Sequence, residues 1–390
     1  MANTLTFNQI STVLNSIVKQ ATGQITALTA TTTSEFVAQA NTALLTGYDN
    51  VINSISQVLD RTIFSTRPYT AKLTSMRKDN RRFGNHVRKL TMVDDDWTND
   101  DRLPLDDGTT VDMYTINKGK VLQTNFYGGQ VFQRSRTYFK DQLDVAFRSP
   151  DELANFISMY TQNTVDQIEQ CHEVMSRMTL VNLIASKIKA DNGNVIHLLT
   201  EYNTLTGLEL TAQTVRQPEN YQNFARWVYS KIKTLSDMLT ERSQKFHLNI
   251  TDKPVQRHTP YRLQNLYLYG GEMNSITAQV VSMTRQDDKL KLMNYETVNF
   301  WQSINSPMSI NVKPSYISAT GVATESDTDV TSNVVFGILC DEESIGLTTI
   351  NQWSMPTPMN ARGGYYNMFY HFTDRYYNDM TENAIVLLMD

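Results

Sequence analysis

The apolar positions of this 390-residue chain change period several times, and each change marks an element. From Phe7 to Leu59 they recur at helical spacing: Phe7, Ile10, Val13, Leu14 and Ile17, then Phe36, Val37, Ala40 and Leu44, then Val51, Ile52, Ile55 and Leu59. Two-residue alternation takes over at His86 to Val93 and returns at Val121 to Arg134. Asp-Asp-Gly and the breakers Pro104 and Gly108 lie between, so a long two-stranded β-hairpin is predicted. Ser149 then offers an N-cap, Pro150 a first helical position, and Asp151 and Glu152 a match to the positive end of the dipole. A stripe of Leu153, Phe156, Ile157, Tyr160, Thr164, Ile168, Cys171, Met175, Met178, Leu183 and Ile184 carries that helix to about 190, where Asp191-Asn192-Gly193 stops it. Such a helix measures roughly 60 Å at about 1.5 Å per residue. It lacks a sustained heptad, which favours a strut across a sheet over a coiled coil.

Beyond Val195 the pattern mixes helix and strand. Gln222 to Gln244 reads as an amphipathic helix, and Leu263 to Tyr269, Val334 to Leu339 and Ala384 to Met389 read as strands. Ser315 to Ser332, rich in Ser, Thr, Gly and Asp, reads as a mobile loop. The run from Arg362 to Phe372, extended by Tyr376 and Tyr377, could stack nucleobases. It lacks interleaved basic residues, so a long amphipathic strand beneath the helix stripe is the stronger reading.

Charge sharpens the hairpin. Arg61 to Lys89 holds nine Lys or Arg and one acid, whereas Val93 to Asp112 holds eight Asp and one Arg. A basic base and an acidic tip suit head-to-tail contact between chains, although each exposed pair contributes only about 0 to 1 kcal/mol. The candidate contact residues are Arg77, Lys78, Arg81, Arg82, Asp94, Asp95, Asp96, Asp100 and Asp101. Up to Leu59 there are three charges, so beside the ordinary reading as amphipathic helices the polar face of the arm suggests packing against another chain.

Composition excludes several classes. At 40% hydrophobic and a mean hydropathy of -0.39, no stretch approaches the roughly 18 to 20 apolar residues of a spanning helix. A net charge of -5 argues against whole-surface attraction to nucleic acid or anionic lipid. Two cysteines, Cys171 and Cys340, make no disulfide framework, which points to a reducing origin, and the amino terminus carries no signal-like segment. Phosphate-loop, dinucleotide, zinc-protease and nucleophile-elbow motifs are absent, and the six histidines show no metal-ligand spacing. No cofactor, catalytic residue or metal ligand is expected. The chemical alternative is a metal-dependent phosphoryl-transfer enzyme built on Asp94, Asp95 and Asp96, which would need ligands from a second element.

The order of uncharged helical arm, long hairpin, long helix, mixed α/β region and aromatic returning strand resembles the Hong Kong 97-like coat fold of tailed bacteriophages. Two tracts sharpen the likeness. Lys140-Asp141-Gln142-Leu143-Asp144-Val145-Ala146-Phe147-Arg148-Ser149, and Ala361-Arg362-Gly363-Gly364-Tyr365-Tyr366-Asn367 with Asn383-Ala384-Ile385-Val386, look like the matching places in coats of small podoviruses of Gram-positive bacteria. The resemblance implies an α+β major capsid subunit, divided as N-terminal arm 1–65, extended loop 66–135, peripheral domain 136–200 with spine helix about 150–190, axial domain 201–362, and returning peripheral strands 363–390. It implies hexamers and pentamers of this chain in an icosahedral head assembled in the bacterial cytoplasm. Portal and scaffolding proteins, and non-specifically contacted double-stranded DNA, are its partners; no membrane is involved and no enzymatic activity is expected. A minor head protein is the runner-up. The immunoglobulin-like domain that some such coats carry after the final strand is not expected here, and no matched Lys and Asn pair for chain-mail cross-links can be placed.

Overall fold

The computed structural model describes Glu35, Tyr69 and residues 71–78, 86–95, 106–107, 112–141, 150–191, 193–251, 253–281 and 295–390, with side chains of the long helix described from Gln162 on. The predicted arm, Glu35 apart, lies outside these residues. Strands β1 (His86–Met92) and β2 (Val121–Tyr127) pair antiparallel from His86↔Tyr127 to Met92↔Val121, forming the expected hairpin. The second arm is shorter than the alternation predicts. Gly128, at φ 91, occupies the left-handed region that glycine adopts without a Cβ penalty, and there the chain leaves the hairpin. It resumes as β3 (Gln130–Phe139), which pairs with a different sheet.

Helix α1 (Pro150–Ala190) runs 41 residues. Short strand β4 (Val195–His197), α2 (Leu198–Thr206) and α3 (Pro218–Leu239) follow, the last opened by Pro218 at a first-turn position. Then come β5 (Gln264–Tyr269), α4 (Gly270–Val281) and β6 (Tyr295–Val298). The predicted mobile loop at 315–332 instead contains β8 (Ser315–Ile317), β9 (Ala323–Glu325) and β10 (Val330–Ser332). β8 pairs with β9, and β10 pairs with β7 (Ile310–Val312). Turn-rich composition concealed three-residue strands whose hydrogen bonds are closed by hairpin geometry. Last are β11 (Val335–Asp341), β12 (Ile345–Pro356), β13 (Tyr365–Asn378) and β14 (Ala384–Leu388).

Two larger sheets organise the body. The five-stranded sheet runs β4-β14-β11-β5-β6 and is covered on both faces. Leu266, Leu268, Ile385 and Leu387 join α2, α3 and α4 in one core; Tyr267, Ile338, Val386 and Leu388 meet Leu180, Leu183 and Ile184 of α1 in another. Burial on both faces explains why β14 reads as an unbroken apolar run rather than an alternation. Leu73 and Met76, just before the hairpin, are sealed into the α1 core. The second sheet, β12-β13-β3, alternates along β13 from Tyr365 to Asp374, and α1 packs against it.

Thr164, Leu183 and Ile184 of the stripe expected on α1 are buried, but between Ile168 and Met178 the stripe is rotated. Met178 is 60% exposed, and Ile168 and Met175 are half-buried, while Val165, Glu169, His172 and Ser176 point inward. Polar groups opposite supply the reason: Glu169 receives both ends of the Arg77 guanidinium at 3.1 and 2.7 Å, and His172 Nε2 lies 3.0 Å from Asp374 Oδ2 of β13, though without hydrogen-bond geometry. Polar side chains go inside where a partner awaits them. Phe156, Ile157 and Tyr160 lie outside the described side chains.

Candidate intersubunit surface

The hairpin has two faces. On the inner one, Val93 and Leu122 form a small apolar cluster with Val255, and the Phe126 ring lies 4.8 Å from that of Tyr377, tilted by 33°. The rest of this anchor is ionic. Lys89 Nζ reaches Asp379 at 3.2 Å and Glu343 at 3.4 Å and also bonds Glu382, while Arg257 meets Glu382 at 2.5 Å. Burial works against the Lys89 ammonium, but Asp379 and Glu382 outweigh it and raise its pKa. Burial pushes Glu382 up to about 7 against the pull of Lys89 and Arg257. Behind the joint Lys187, fully buried, donates to the carbonyls of Phe246, Met380 and Glu382 at 3.1 to 3.4 Å. Desolvation lowers it to about 8, against the attraction of Asp379 and Glu382.

The outer face is open and mixed: Leu90, Met92, Val121 and Tyr127 are all about half-exposed or more, and Arg88, Gln123 and Asn125 lie between them. Beyond the strands, residues 112–120 are exposed throughout, and Met113, Tyr114 and Ile116 stand 79 to 81% exposed. A single two-stranded hairpin with large apolar side chains in the open is marginal in water without a partner.

The charged candidates fall in three groups. Arg77 and Lys78 bind within the chain, to Glu169 and to Glu342 at 2.8 Å. Asp94 does so too: the Gln256 N–H, and after it Arg242 at 2.8 Å, hold its carboxyl below the usual range against a desolvation that raises it. Asp95 is exposed. Arg81, Arg82, Asp96, Asp100 and Asp101 lie outside the described residues. Among the described residues no group of three or more His, Cys, Asp or Glu could hold a metal ion, and no helix is long and apolar enough to cross a membrane. Both cysteines are free, Cys340 buried and Cys171 partly so.

Sequence reading missed the ionic joint and the open apolar triplet. Asp379 and Glu382 look like ordinary turn residues, and Lys187 sits in an unremarkable helical row. The spacing of Met113, Tyr114 and Ile116 was the available signal for the triplet, since three large apolar residues in a breaker-rich segment need a cover.

This mixed body of helices and sheets with one long helix has the phage capsid fold, as the likeness to a solved capsid shows. The capsid of Staphylococcus phage Andhra superposes with a TM-score of 0.52 at 8% identity, over 83% of this chain and 86% of that one. A structure of the head fiber and inner core protein gp22 of native bacteriophage P68 gives 0.48 at 10% identity, over 83% and 87%. No curated protein matches the chain. The model of the Phi29-like phage major capsid protein family matches residues 14–388, and the chain belongs to that family. It is a structural subunit of the phage head shell, assembles with copies of itself, and resides in the virion.

Proposed function

We propose that this chain builds an icosahedral head of hexamers and pentamers around double-stranded DNA, which it contacts non-specifically, and that its role is structural rather than enzymatic. Portal and scaffolding proteins join the assembly in the host bacterial cytoplasm. The chain divides as arm 1–65, extended loop 66–135 with its second strand ending at Tyr127, peripheral domain 136–200, axial domain 201–362 and returning strands 363–390. The observation that carries the reading is the hairpin. Its base is tied to its own body by charge, while its outer face and distal segment keep large apolar side chains in water. Heterologous contacts repeated around rings require such projecting elements.

Asp95, with Arg81, Arg82, Asp96, Asp100 and Asp101, biases that contact through charge, whereas Arg77, Lys78 and Asp94 are paired within the chain. Purified protein viewed by negative stain and sedimentation should form megadalton shells, and a small soluble oligomer under all assembly conditions counts against the proposal. Replacing Asp94, Asp95 and Asp96 together by Asn should weaken assembly in a salt-dependent way. Normal assembly of that variant, with Mg²⁺-dependent phosphoester cleavage by the wild type, would restore the enzyme reading. Deleting residues 1–59 should leave a cooperatively melting body that no longer closes shells.

A further inference from the structure

The chain passes from the arm to the hairpin through a short segment, Tyr69 and residues 71–78, that is set into the body. Leu73 and Met76 anchor it in the α1 core at 0 and 1% exposure. Its polar ties are mostly carboxylates of other elements. Glu173 of α1 accepts from the Tyr69 hydroxyl at 2.9 Å and the Lys72 N–H at 3.2 Å, and Glu169, one helical turn away, takes both ends of the Arg77 guanidinium. Glu296 of β6 accepts from the Leu73 N–H and, at 2.9 Å, from the Ser75 hydroxyl; Glu342 pairs with Lys78 at 2.8 Å. The Lys78 N–H also bonds the Leu347 carbonyl of β12 at 2.9 Å, and the Ser75 hydroxyl also meets that of Tyr267 at 2.8 Å. At the centre of the segment the backbone is strained. Leu73 sits at φ 62 and ψ 34, the left-handed region that crowds a Cβ, and such a conformation persists only where its surroundings hold it.

We infer that this segment is an acid-released strap: carboxylates seat it at neutral pH, and on their neutralisation it leaves the body while the apolar cores stay folded. Neutral Glu169 and Glu342 leave Arg77 and Lys78, whose side chains are 21 and 16% exposed, without counterions, and a half-buried charge without a partner is unfavourable. Release also frees Leu73 from its left-handed conformation. The two cores, by contrast, are built of apolar side chains, whose burial does not depend on protonation. Arg177, 2.8 Å from Glu173, is a further cation facing these carboxylates, and the Tyr69 and Tyr267 hydroxyls lie beside Glu173 and Glu296. Burial works against the charge of Glu173, but the Lys72 N–H, Tyr69 and Arg177 outweigh it and hold its carboxyl below the ordinary value of 4.5. Its contribution to seating is therefore present above 4.5 and is lost as pH falls through the lower folded value. The strap stands without the head-shell reading; within that reading, its seating fixes where the arm and the hairpin both leave the body.

The test is hydrogen exchange of the full chain, corrected for the intrinsic effect of pH, at steps from about pH 7 to about pH 3. Residues 71–78 should lose about tenfold or more of their protection as pH falls below 4.5, where β5, β11 and β14 still keep theirs. Protection of 71–78 that persists until the whole chain unfolds overturns the inference. Glu169→Gln combined with Glu173→Gln supplies a second measurement at neutral pH. It should speed exchange in 71–78 by about tenfold or more and leave β14 unchanged, whereas unchanged exchange in 71–78 shows that these carboxylates are not the ties and overturns the inference as well. Should that variant fail to fold, the wild-type titration decides alone. Either result leaves the head-shell reading untouched.

Discussion

The five-stranded sheet and the hairpin are both built from short strands of ordinary β composition, yet they are held by opposite means. In the sheet, neighbouring residues of β5 and β14 feed two apolar cores, one under α2, α3 and α4 and one under α1. The hairpin has one half-covered face, a four-residue apolar contact, and a joint of Lys89, Arg257, Asp379 and Glu382. Apolar burial is non-directional and scales with area, so it sets the stability of the whole body. A buried ionic joint adds little net stability but fixes one geometry, and it fails when a partner is removed. Damage to the sheet should therefore be global, and damage to the joint local.

The largest effect tests the sheet. Leu268→Ala leaves a cavity in the α3 and α4 core and should cost roughly 2 to 5 kcal/mol, read as a single lowered denaturation transition. A loss confined to one region would show that the sheet is not the common core. Proline at position 168 removes a backbone hydrogen bond of α1 and clashes with the preceding turn, at roughly 3 kcal/mol. Soluble Ile168→Pro with an unchanged melting temperature would mean that α1 does not brace the two sheets.

Lys89→Met tests the other side of the comparison. It leaves Asp379 and Glu382 short of a cation and should lower local stability by about 1 to 3 kcal/mol, seen as faster amide exchange in β1 with the body's melt nearly unchanged. A global loss with unaltered hairpin exchange would reverse the roles assigned here.

A smaller effect is carried by pH. Lys187 falls from its ordinary value of 10.5 to about 8 because burial disfavours its charge, so between about 8 and 10.5 the unfolded chain binds the extra proton. Its contribution to stability is present above the unfolded value and is lost as pH falls through that window. Denaturation curves across the window should differ in slope between wild type and Lys187→Met, and parallel curves would show that the ammonium keeps its ordinary pKa among its three carbonyls. The smallest change is Asp94→Asn alone. Half-exposed and paired with Arg242, Asp94 should contribute about 0 to 1 kcal/mol to the isolated chain, leaving its melt nearly unmoved.

Much of this architecture is legible along the chain. Cap, stop and apolar spacing marked α1 to its ends, and the alternation of β13 predicted a strand covered on one side. The hairpin was readable from its two alternating runs, although Val121 to Arg134 looked continuous because alternation persists across Gly128 and Gly129 while the hydrogen-bond partner changes. Between Ile168 and Met178 the inward face of α1 was misread by about one residue, while Thr164, Leu183 and Ile184 are buried as read, because an apolar stripe is a sound guide only where the opposing surface is apolar. Facing Asp374 and Arg77, the helix turns His172 and Glu169 inward and leaves Met178 in solvent.

Short-range periodicity and capping chemistry are properties of neighbours in sequence, and they were sufficient for the type and order of the hairpin strands, α1 and the returning strands. The pairings Lys89 with Asp379 and Glu382, Arg77 with Glu169, His172 with Asp374, and Lys187 with three distant carbonyls join residues tens to hundreds of positions apart. A charge can be buried only where a partner offsets its desolvation, and which partner arrives is a matter of how the sheets and α1 pack, so tertiary structure alone decided the joint, the rotation of the helix and the seating of residues 71–78.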